Sequence, residues 1–177
     1  MTFGPRHHSS PRSPVGTSAP DVMSGYLNDP EATAATLDAG GWLHTGDLAT
    51  ENADGVITIV DRLKELIKYK GWSVAPAELE AVLLTHDRIA DAAVIGVRAA
   101  DGEEVPKAFV VPRPGADLTA ADVTAFVAER VAPYKKVRAV EFVDAIPKSA
   151  AGKILRKDLR AREATIRPAP RPAETGA

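Results

Sequence analysis

The stretch that decides the fold is "DRLKELIKYKGWSVAPAELE", residues 61–80. It places one arginine and three lysines within residues 61–70, followed by Gly71 and by the start of an amphipathic helix. The whole chain of 177 residues carries a net charge of −2 and has a pI near 6.1. Because the protein as a whole is mildly acidic, this cationic run needs a local explanation, and nucleic-acid binding is disfavoured.

The composition is typical of a soluble globular protein with a real core, since 45% of residues are hydrophobic and 26% are charged. The chain has no cysteine, which excludes disulfides, thiolate zinc sites and a cysteine nucleophile, and fits a reducing compartment. No apolar run is long enough for a membrane span, and the N-terminus does not resemble a signal peptide. These features predict a cytoplasmic protein with no membrane partner.

The composition of both ends of the chain predicts that they are disordered. Residues 1–21 are dense in Pro, Ser, Gly and Arg, and residues 163–177 form a Pro-rich tail. His7 and His8 are adjacent, but no other ligand has a defined position nearby, so we interpret them as solvated polar residues rather than a metal site.

Residues 22–61 predict a small ordered piece. Asp29 is a helix N-cap with Pro30 in the first turn, and a double glycine follows the helix. A turn at Asp54-Gly55 separates two β-rich runs, so residues 42–60 predict a hairpin. This piece is too small to be a domain by itself.

Residues 62–162 predict a compact α+β unit with helices packed on a small sheet. A helix begins near Pro76, and two strands are joined by a polar turn at Asp101-Gly102. Thr119 and Asp122 have the spacing of a capping box at the start of a second helix. A further strand and a short basic helix complete the pattern.

Three motifs stand in a fixed order: "GWLHTGDL" at 41–48, the stretch at 61–80, and "IPKSAAGKILRKDLR" at 146–160. Together with "VMSGYLNDPEAT" upstream, they resemble the adenylate-forming superfamily, most closely the 4-coumarate-CoA ligases and the luciferase-like acyl-CoA synthetases. The resemblance covers residues 22–162. It implies the small α+β C-terminal domain of these enzymes, with helices on a mixed sheet, preceded by a short β-hairpin remnant of their large N-terminal AMP-binding domain.

The resemblance implies a two-step ligase. A carboxylate attacks the α-phosphate of ATP to give an acyl-AMP, and the thiol of coenzyme A then displaces AMP to give a thioester. ATP with Mg²⁺, coenzyme A and a small carboxylate are substrates, and no tightly bound cofactor is implied. The small domain adopts two orientations on the large one, so a separate N-terminal AMP-binding domain is the implied partner.

The nucleotide-binding residues follow from the first two motifs. Asp47 resembles the acid that accepts hydrogen bonds from the ribose hydroxyls of ATP, although alone it could equally be a turn aspartate. Arg62 resembles a second ribose or phosphate contact. Lys64 falls at the family's hinge position and also near the adenylate. The resemblance thus explains part of the cationic run as contacts to an anionic nucleotide.

The remaining site residues serve the two half-reactions. Lys68 resembles the lysine that meets the acyl-adenylate during thioester formation, and Lys70 with Gly71 matches the positions that contact coenzyme A. Lys153 resembles the lysine that bridges the carboxylate and the α-phosphate during adenylation, in a loop expected to be mobile. The "GK" pair at Gly152 is no phosphate-binding loop, because the GxxxxGK[ST] pattern is absent.

The sequence also departs from the family. Ser73 stands where coumarate-CoA ligases commonly carry glutamine, which leaves a contact there open. Nothing in residues 1–21 resembles the large domain, so we expect a C-terminal portion that is inactive alone, with an exposed apolar surface around Val22, Met23, Tyr26 and Trp42. Two alternatives stay open: a folded remnant without catalysis, and an interaction module whose basic face binds an acidic partner or nucleic acid.

Overall fold

The computed structural model describes residues 13–166, which divide between Leu66 and Ile67 into two compact units. Residues 1–12 and 167–177 lie outside the described residues. The disorder predicted for those parts of the chain ends and the interpretation of His7 and His8 therefore lie outside them as well.

The first unit is a three-stranded antiparallel sheet in the order β1-β2-β3 with one short helix. The predicted hairpin corresponds to β2 and β3. Asp29 caps the helix, and its Oδ1 accepts a hydrogen bond from the N–H of Ala32 at 2.9 Å. The elements are β1 (Ser13–Thr17), α1 (Pro30–Thr36), β2 (Leu43–Glu51) and β3 (Ile57–Arg62).

Strand β1 lies inside the segment 1–21 for which the sequence predicts disorder. It pairs with β2 from Ser13↔Ala49 to Thr17↔Leu43. Most residues of the strand are exposed. It contains Pro14, and proline is tolerated there because β1 is an edge strand. Composition alone does not reveal such a strand, because its stability comes from hydrogen bonds to a partner far along the chain.

Part of the predicted apolar surface is exposed. Tyr26 and Trp42 are each 50% exposed, while Val22 and Met23 are half-buried. The exposed apolar side chains of the first unit continue onto β3 and the turn before it, with Val56, Ile57 and Ile59.

The second unit is an α+β domain whose main sheet is mixed, which confirms the predicted fold class. Strands β6 and β7 are antiparallel, β7 and β8 are parallel, and β4 with β5 forms a separate hairpin. The elements are β4 (Ile67–Tyr69), β5 (Trp72–Val74), α2 (Pro76–Leu84), β6 (Ile89–Arg98), β7 (Glu104–Pro112), α3 (Ala120–Ala128), β8 (Ala139–Phe142) and α4 (Arg156–Ile166).

The main sheet is covered by helices on both faces. Alternate residues of β6 point to opposite sides, so Ala92 and Val94 join one core cluster and Ala93 and Ile95 join another. The first cluster contains buried side chains of α2 and α3, namely Leu79, Leu83, Val123 and Val127. The second contains Leu159 of α4. Burial on both faces explains the continuous apolar run of β6.

Helix α4 runs to Ile166, past the point at which the sequence predicts a disordered tail. Its Glu163 forms an ion pair with Lys107 of β7, which also pairs with Glu141 of β8 at 2.7 Å. Partial burial would lower the pKa of Lys107, but the hydrogen bonds to Glu141 and Glu163 outweigh it and raise that pKa above its ordinary value. The ion pairs thus attach α4 to the sheet.

The predicted capping box of α3 is present. Thr119 Oγ1 accepts from the N–H of Asp122 at 3.2 Å, and Asp122 Oδ2 accepts from the N–H of Thr119 at 3.0 Å. Hydrogen bonds from the backbone and side chain of Thr119 lower the pKa of Asp122 below its ordinary 3.8. The contact therefore stabilises the fold above that pH and loses its contribution as the pH falls through the lower folded value.

We expect Thr119→Ala to lower the free energy of unfolding by about 1 kcal/mol, because it removes the N-cap of α3. Urea unfolding followed by circular dichroism measures the change. Thr124→Ala is the matched control, since Thr124 donates to the carbonyl of Ala120 within the same helix and alanine is the better helix former. Equal losses in both variants would contradict a specific role of the cap.

None of the helices within residues 13–166 combines the length and the apolar character needed to cross a bilayer. The cytoplasmic location stays a prediction.

Candidate functional site

Asp47 and Arg62 lie opposite each other on β2 and β3. Arg62 Nε is 3.2 Å from Asp47 Oδ1, and the two side chains are 47% and 25% exposed. The pair is open to solvent, so it contributes little to stability. A carboxylate can accept two hydrogen bonds from a vicinal diol, and the adjacent guanidinium can meet a phosphate.

The bulge in β2 just before Asp47 is held by Thr45, a residue that the sequence analysis did not single out. Thr45 Oγ1 accepts from the N–H of Asp47 at 3.1 Å and donates to the carbonyl of Val15 in β1 at 3.1 Å. Gly46 between them has a φ of +73°, a conformation that favours glycine. Strand β1 therefore helps to orient Asp47.

Lys64 lies in a 3₁₀ turn formed by Leu63–Glu65, and its side chain is exposed. The division of the chain into compact units, between Leu66 and Ile67, falls one residue after this turn. Lys64 is therefore close in sequence to the boundary between the two units.

Lys68, Lys70 and Gly71 are brought together on the hairpin of β4 and β5. The two-residue loop is Lys70-Gly71, with φ angles of +47° and +81°. Positive φ at both loop residues is the mark of a type I′ turn, which matches the twist of a hairpin. A Cβ at Gly71 would meet no atom within 4 Å, so glycine is needed there for its backbone conformation rather than for space.

Ser73 makes a contact that the sequence analysis left open. It lies opposite Lys68, and Lys68 Nζ donates a hydrogen bond to Ser73 Oγ at 2.7 Å. A serine at this position therefore orients the lysine ammonium across the strands.

We expect Lys70→Asn to raise the free energy of unfolding by about 0.5 kcal/mol, because asparagine adopts the left-handed conformation more easily than lysine. Chemical denaturation measures the change, and Lys64→Asn, outside the hairpin, is the control that should have no such effect. A loss of stability in Lys70→Asn would contradict the turn assignment. A gain would mean that lysine is kept at this position for a reason other than folding.

Lys153 lies in a closed turn of residues 147–155, which we call the Lys153 turn. Ser149 N–H donates to the carbonyl of Lys153 at 2.8 Å, and Ser149 Oγ accepts from the N–H of Lys153 at 3.2 Å. A further bond joins Leu155 N–H to the carbonyl of Pro147 at 2.8 Å. The side chain of Lys153 is exposed. The turn is thus closed by its own hydrogen bonds, and the mobility expected from its glycine stays a prediction.

Both ends of the Lys153 turn are attached to the main sheet and α2. At one end Lys148 Nζ pairs with Asp91 Oδ2 at 2.6 Å. At the other end Arg156 Nη2 pairs with the buried Glu80 at 2.6 Å, and its Nε donates to the carbonyl of Val94 at 3.3 Å. Glu80 also accepts from the N–H of Val94 at 2.8 Å. The fold therefore presents Lys153 from a fixed base.

Within residues 13–166, no group of three or more histidine and carboxylate side chains is arranged to hold a metal ion. In the second unit, the exposed side chains of Lys68, Lys70 and Lys153 offer cationic groups that suit anionic ligands.

The family model "AMP-binding enzyme C-terminal domain" matches residues 78–153. A 4-coumarate-CoA ligase of Narcissus pseudonarcissus is 58% identical over 147 residues, which are 83% of this chain and 26% of that protein. ATP-bound MatB from Rhodopseudomonas palustris has a TM-score of 0.83 at 30% identity, with 89% of this chain and 31% of that chain covered.

A third relative is the o-succinylbenzoate CoA synthetase MenE of Bacillus subtilis, solved in complex with its acyl-adenylate intermediate. Its TM-score is 0.76 at 33% identity, with 85% of this chain and 30% of that chain covered. This chain thus spans about a quarter to a third of the length of these relatives, from 26% to 31%.

Proposed function

The chain contains the C-terminal domain of the AMP-binding enzymes, and from this premise we propose that it is the C-terminal part of an ATP-dependent carboxylate-CoA ligase. It would act together with a large AMP-binding domain, because the chain matches only 26% to 31% of the length of the three relatives described above. Alone, the chain is expected to be inactive.

In the first half-reaction, a carboxylate oxygen forms a bond to the α-phosphorus of ATP and pyrophosphate leaves. Lys153 supplies an ammonium for the charge that gathers on the phosphorus oxygens. Asp47 accepts from the ribose hydroxyls, and Arg62 contacts the ribose or a phosphate. The closed Lys153 turn supports this role, because an exposed lysine on a fixed base can be brought to one defined point.

In the second half-reaction, the thiol sulfur of coenzyme A attacks the acyl carbonyl carbon and AMP leaves with the bonding electrons. Lys68 meets the acyl-adenylate, while Lys70 and Gly71 contact coenzyme A. The resemblance implies one orientation of the small domain for each half-reaction, so the second unit would turn between the two steps, with Lys64 at the hinge.

The substrate class that the similarities favour is an aryl carboxylate. The relatives include ligases named for 4-coumarate and a synthetase named for o-succinylbenzoate. Magnesium would enter with ATP, as the resemblance implies.

The observation that carries the proposal is the β4–β5 hairpin. The hairpin exposes Lys68 on β4 and Lys70 in the turn. Lys70 has a φ of +47°, and lysine is not a residue that a type I′ turn prefers. Non-glycine residues held in such a conformation are often functional. The resemblance to adenylate-forming enzymes suggests coenzyme A as the ligand of Lys70.

The test is thioester formation from ATP, Mg²⁺, coenzyme A and a panel of aryl and fatty acids. It compares the full chain alone with the chain mixed with the separately expressed large domain of a 4-coumarate-CoA ligase. Product in the mixture only is the expected result. No product in either sample, with the chain folded by circular dichroism, would favour the non-catalytic remnant.

A further inference from the structure

The N–H of Lys68 points away from the hairpin to which it belongs. In a hairpin with a two-residue loop, the pair that flanks the loop exchanges backbone hydrogen bonds, here Tyr69 with Trp72. The next pair, Lys68 with Ser73, is then a non-hydrogen-bonded pair, so the N–H of Lys68 faces outward. An outward N–H needs another acceptor.

Two glutamates that follow the turn between β6 and β7 supply acceptors to this hairpin. Glu104 Oε2 accepts from the N–H of Lys68 at 2.7 Å. Glu103 Oε2 is 3.4 Å from the N–H of Lys70, a longer and weaker contact. The short bond between a carboxylate and an amide is charge-assisted and therefore among the stronger kinds.

Gly96 of β6 provides the space that Glu104 needs. An ideal Cβ built at Gly96 would lie 2.1 Å from Glu104 Oε1 and 2.6 Å from its carboxyl carbon. Gly96 is not among the residues with positive φ, so its backbone does not itself require glycine. A glycine inside a strand often marks the close approach of another group, and here that group is the Glu104 carboxylate.

We propose that Glu104 is a positioning residue for Lys68, and that Gly96 is glycine in order to admit its carboxylate. Glu104 holds the main chain of Lys68 while Ser73 holds its ammonium, so the lysine is fixed at two points. The proposal rests on the proposed function for the role of Lys68 in thioester formation. It adds that the position of the β4–β5 hairpin depends on the β6–β7 connection as well as on the turn of the hairpin itself.

The first arm of the test uses the full chain alone and follows the amide proton of Lys68 by ¹⁵N NMR. Glu104→Ala should speed its exchange with solvent by about ten-fold, the size expected for the loss of one hydrogen bond. Glu104→Gln keeps a carbonyl acceptor and should remain close to the wild type. Gly96→Ala should imitate Glu104→Ala, and the double variant should exchange no faster than either single variant. An unchanged Lys68 amide in Glu104→Ala or Gly96→Ala would overturn the proposal.

The second arm measures the two half-reactions in the mixture with the large domain. Glu104→Ala should slow the coenzyme A-dependent consumption of preformed acyl-adenylate about ten-fold and leave pyrophosphate release unchanged, with Glu104→Gln restoring the rate. Glu129→Ala, on an exposed carboxylate at the end of α3, is the control. Equal loss in both half-reactions would show a merely structural role and overturn the proposal. If the wild-type mixture makes no thioester, the proposed function fails, and the amide arm alone decides the positioning.

Discussion

Lys153→Ala is expected to slow acyl-adenylate formation by about 10²–10³-fold in the mixture with a large domain, the range seen when one donor to a developing charge is removed. The conversion of preformed acyl-adenylate to thioester should change far less, because Lys153 is assigned to the first half-reaction only. Pyrophosphate release measures the first step, and thioester formation from synthetic acyl-adenylate measures the second.

Two variants make the Lys153 result specific. Lys157→Ala removes an exposed lysine from the first turn of α4 and should leave both rates unchanged. Lys153→Arg keeps the charge but replaces a compact ammonium by a planar fork, and it should recover only part of the rate. A fall of both half-reactions by the same factor in Lys153→Ala would contradict the division of roles.

Arg156→Met is expected to lower the free energy of unfolding by about 3 kcal/mol, because it removes the guanidinium that forms an ion pair with the buried carboxylate of Glu80. Arg156 and Glu80 are 13% and 9% exposed, and the pair joins α4 to α2. Urea unfolding measures the change. Adenylation should fall as well, since Arg156 anchors the end of the Lys153 turn.

The double variant Glu80→Gln/Arg156→Met should recover most of this stability. Glutamine carries no charge and still offers an oxygen to the N–H of Val94, which Glu80 accepts at 2.8 Å. Removal of an exposed charge such as Glu129, whose side chain is 73% exposed, should cost less than about 0.5 kcal/mol. A double variant as unstable as Arg156→Met would show that the loss comes from packing rather than from the broken ion pair of Glu80.

Local patterns predicted much of the fold. The capping box of Thr119 and Asp122 is encoded within four residues, and the β6–β7 hairpin is marked by two apolar runs around a polar turn. Strand β1 was missed, because its partners in β2 are far along the chain, Ser13 pairing with Ala49 and Thr17 with Leu43. The β4–β5 hairpin was missed for another reason: its strands have three residues each, and its loop carries Lys70 in place of the usual asparagine.

The candidate site also has a part that the sequence predicts and a part that it does not. Residue type and spacing are readable from sequence, so the motifs select Asp47, Lys68 and Lys153 as candidates, and their roles stay predictions. The contacts that orient these residues depend on register and could not be predicted. The ion pair of Asp47 with Arg62 needs the alignment of β2 with β3, and the bond from Lys68 to Glu104 spans 36 residues.

Strand β6 supports both Lys68 and Lys153 of the second unit. The base of Lys153 is attached at Asp91 and Val94, whereas the carboxylate behind Lys68 rests over Gly96. Val94 and Gly96 are two residues apart, which is about 7 Å along a strand. Mutations in the body of this strand should therefore be pleiotropic and impair both catalytic steps together, while mutations at either attachment impair one. To change the rate of one step alone, one would therefore mutate the contacts that attach Lys153 or Lys68 to β6 and leave the strand itself unchanged.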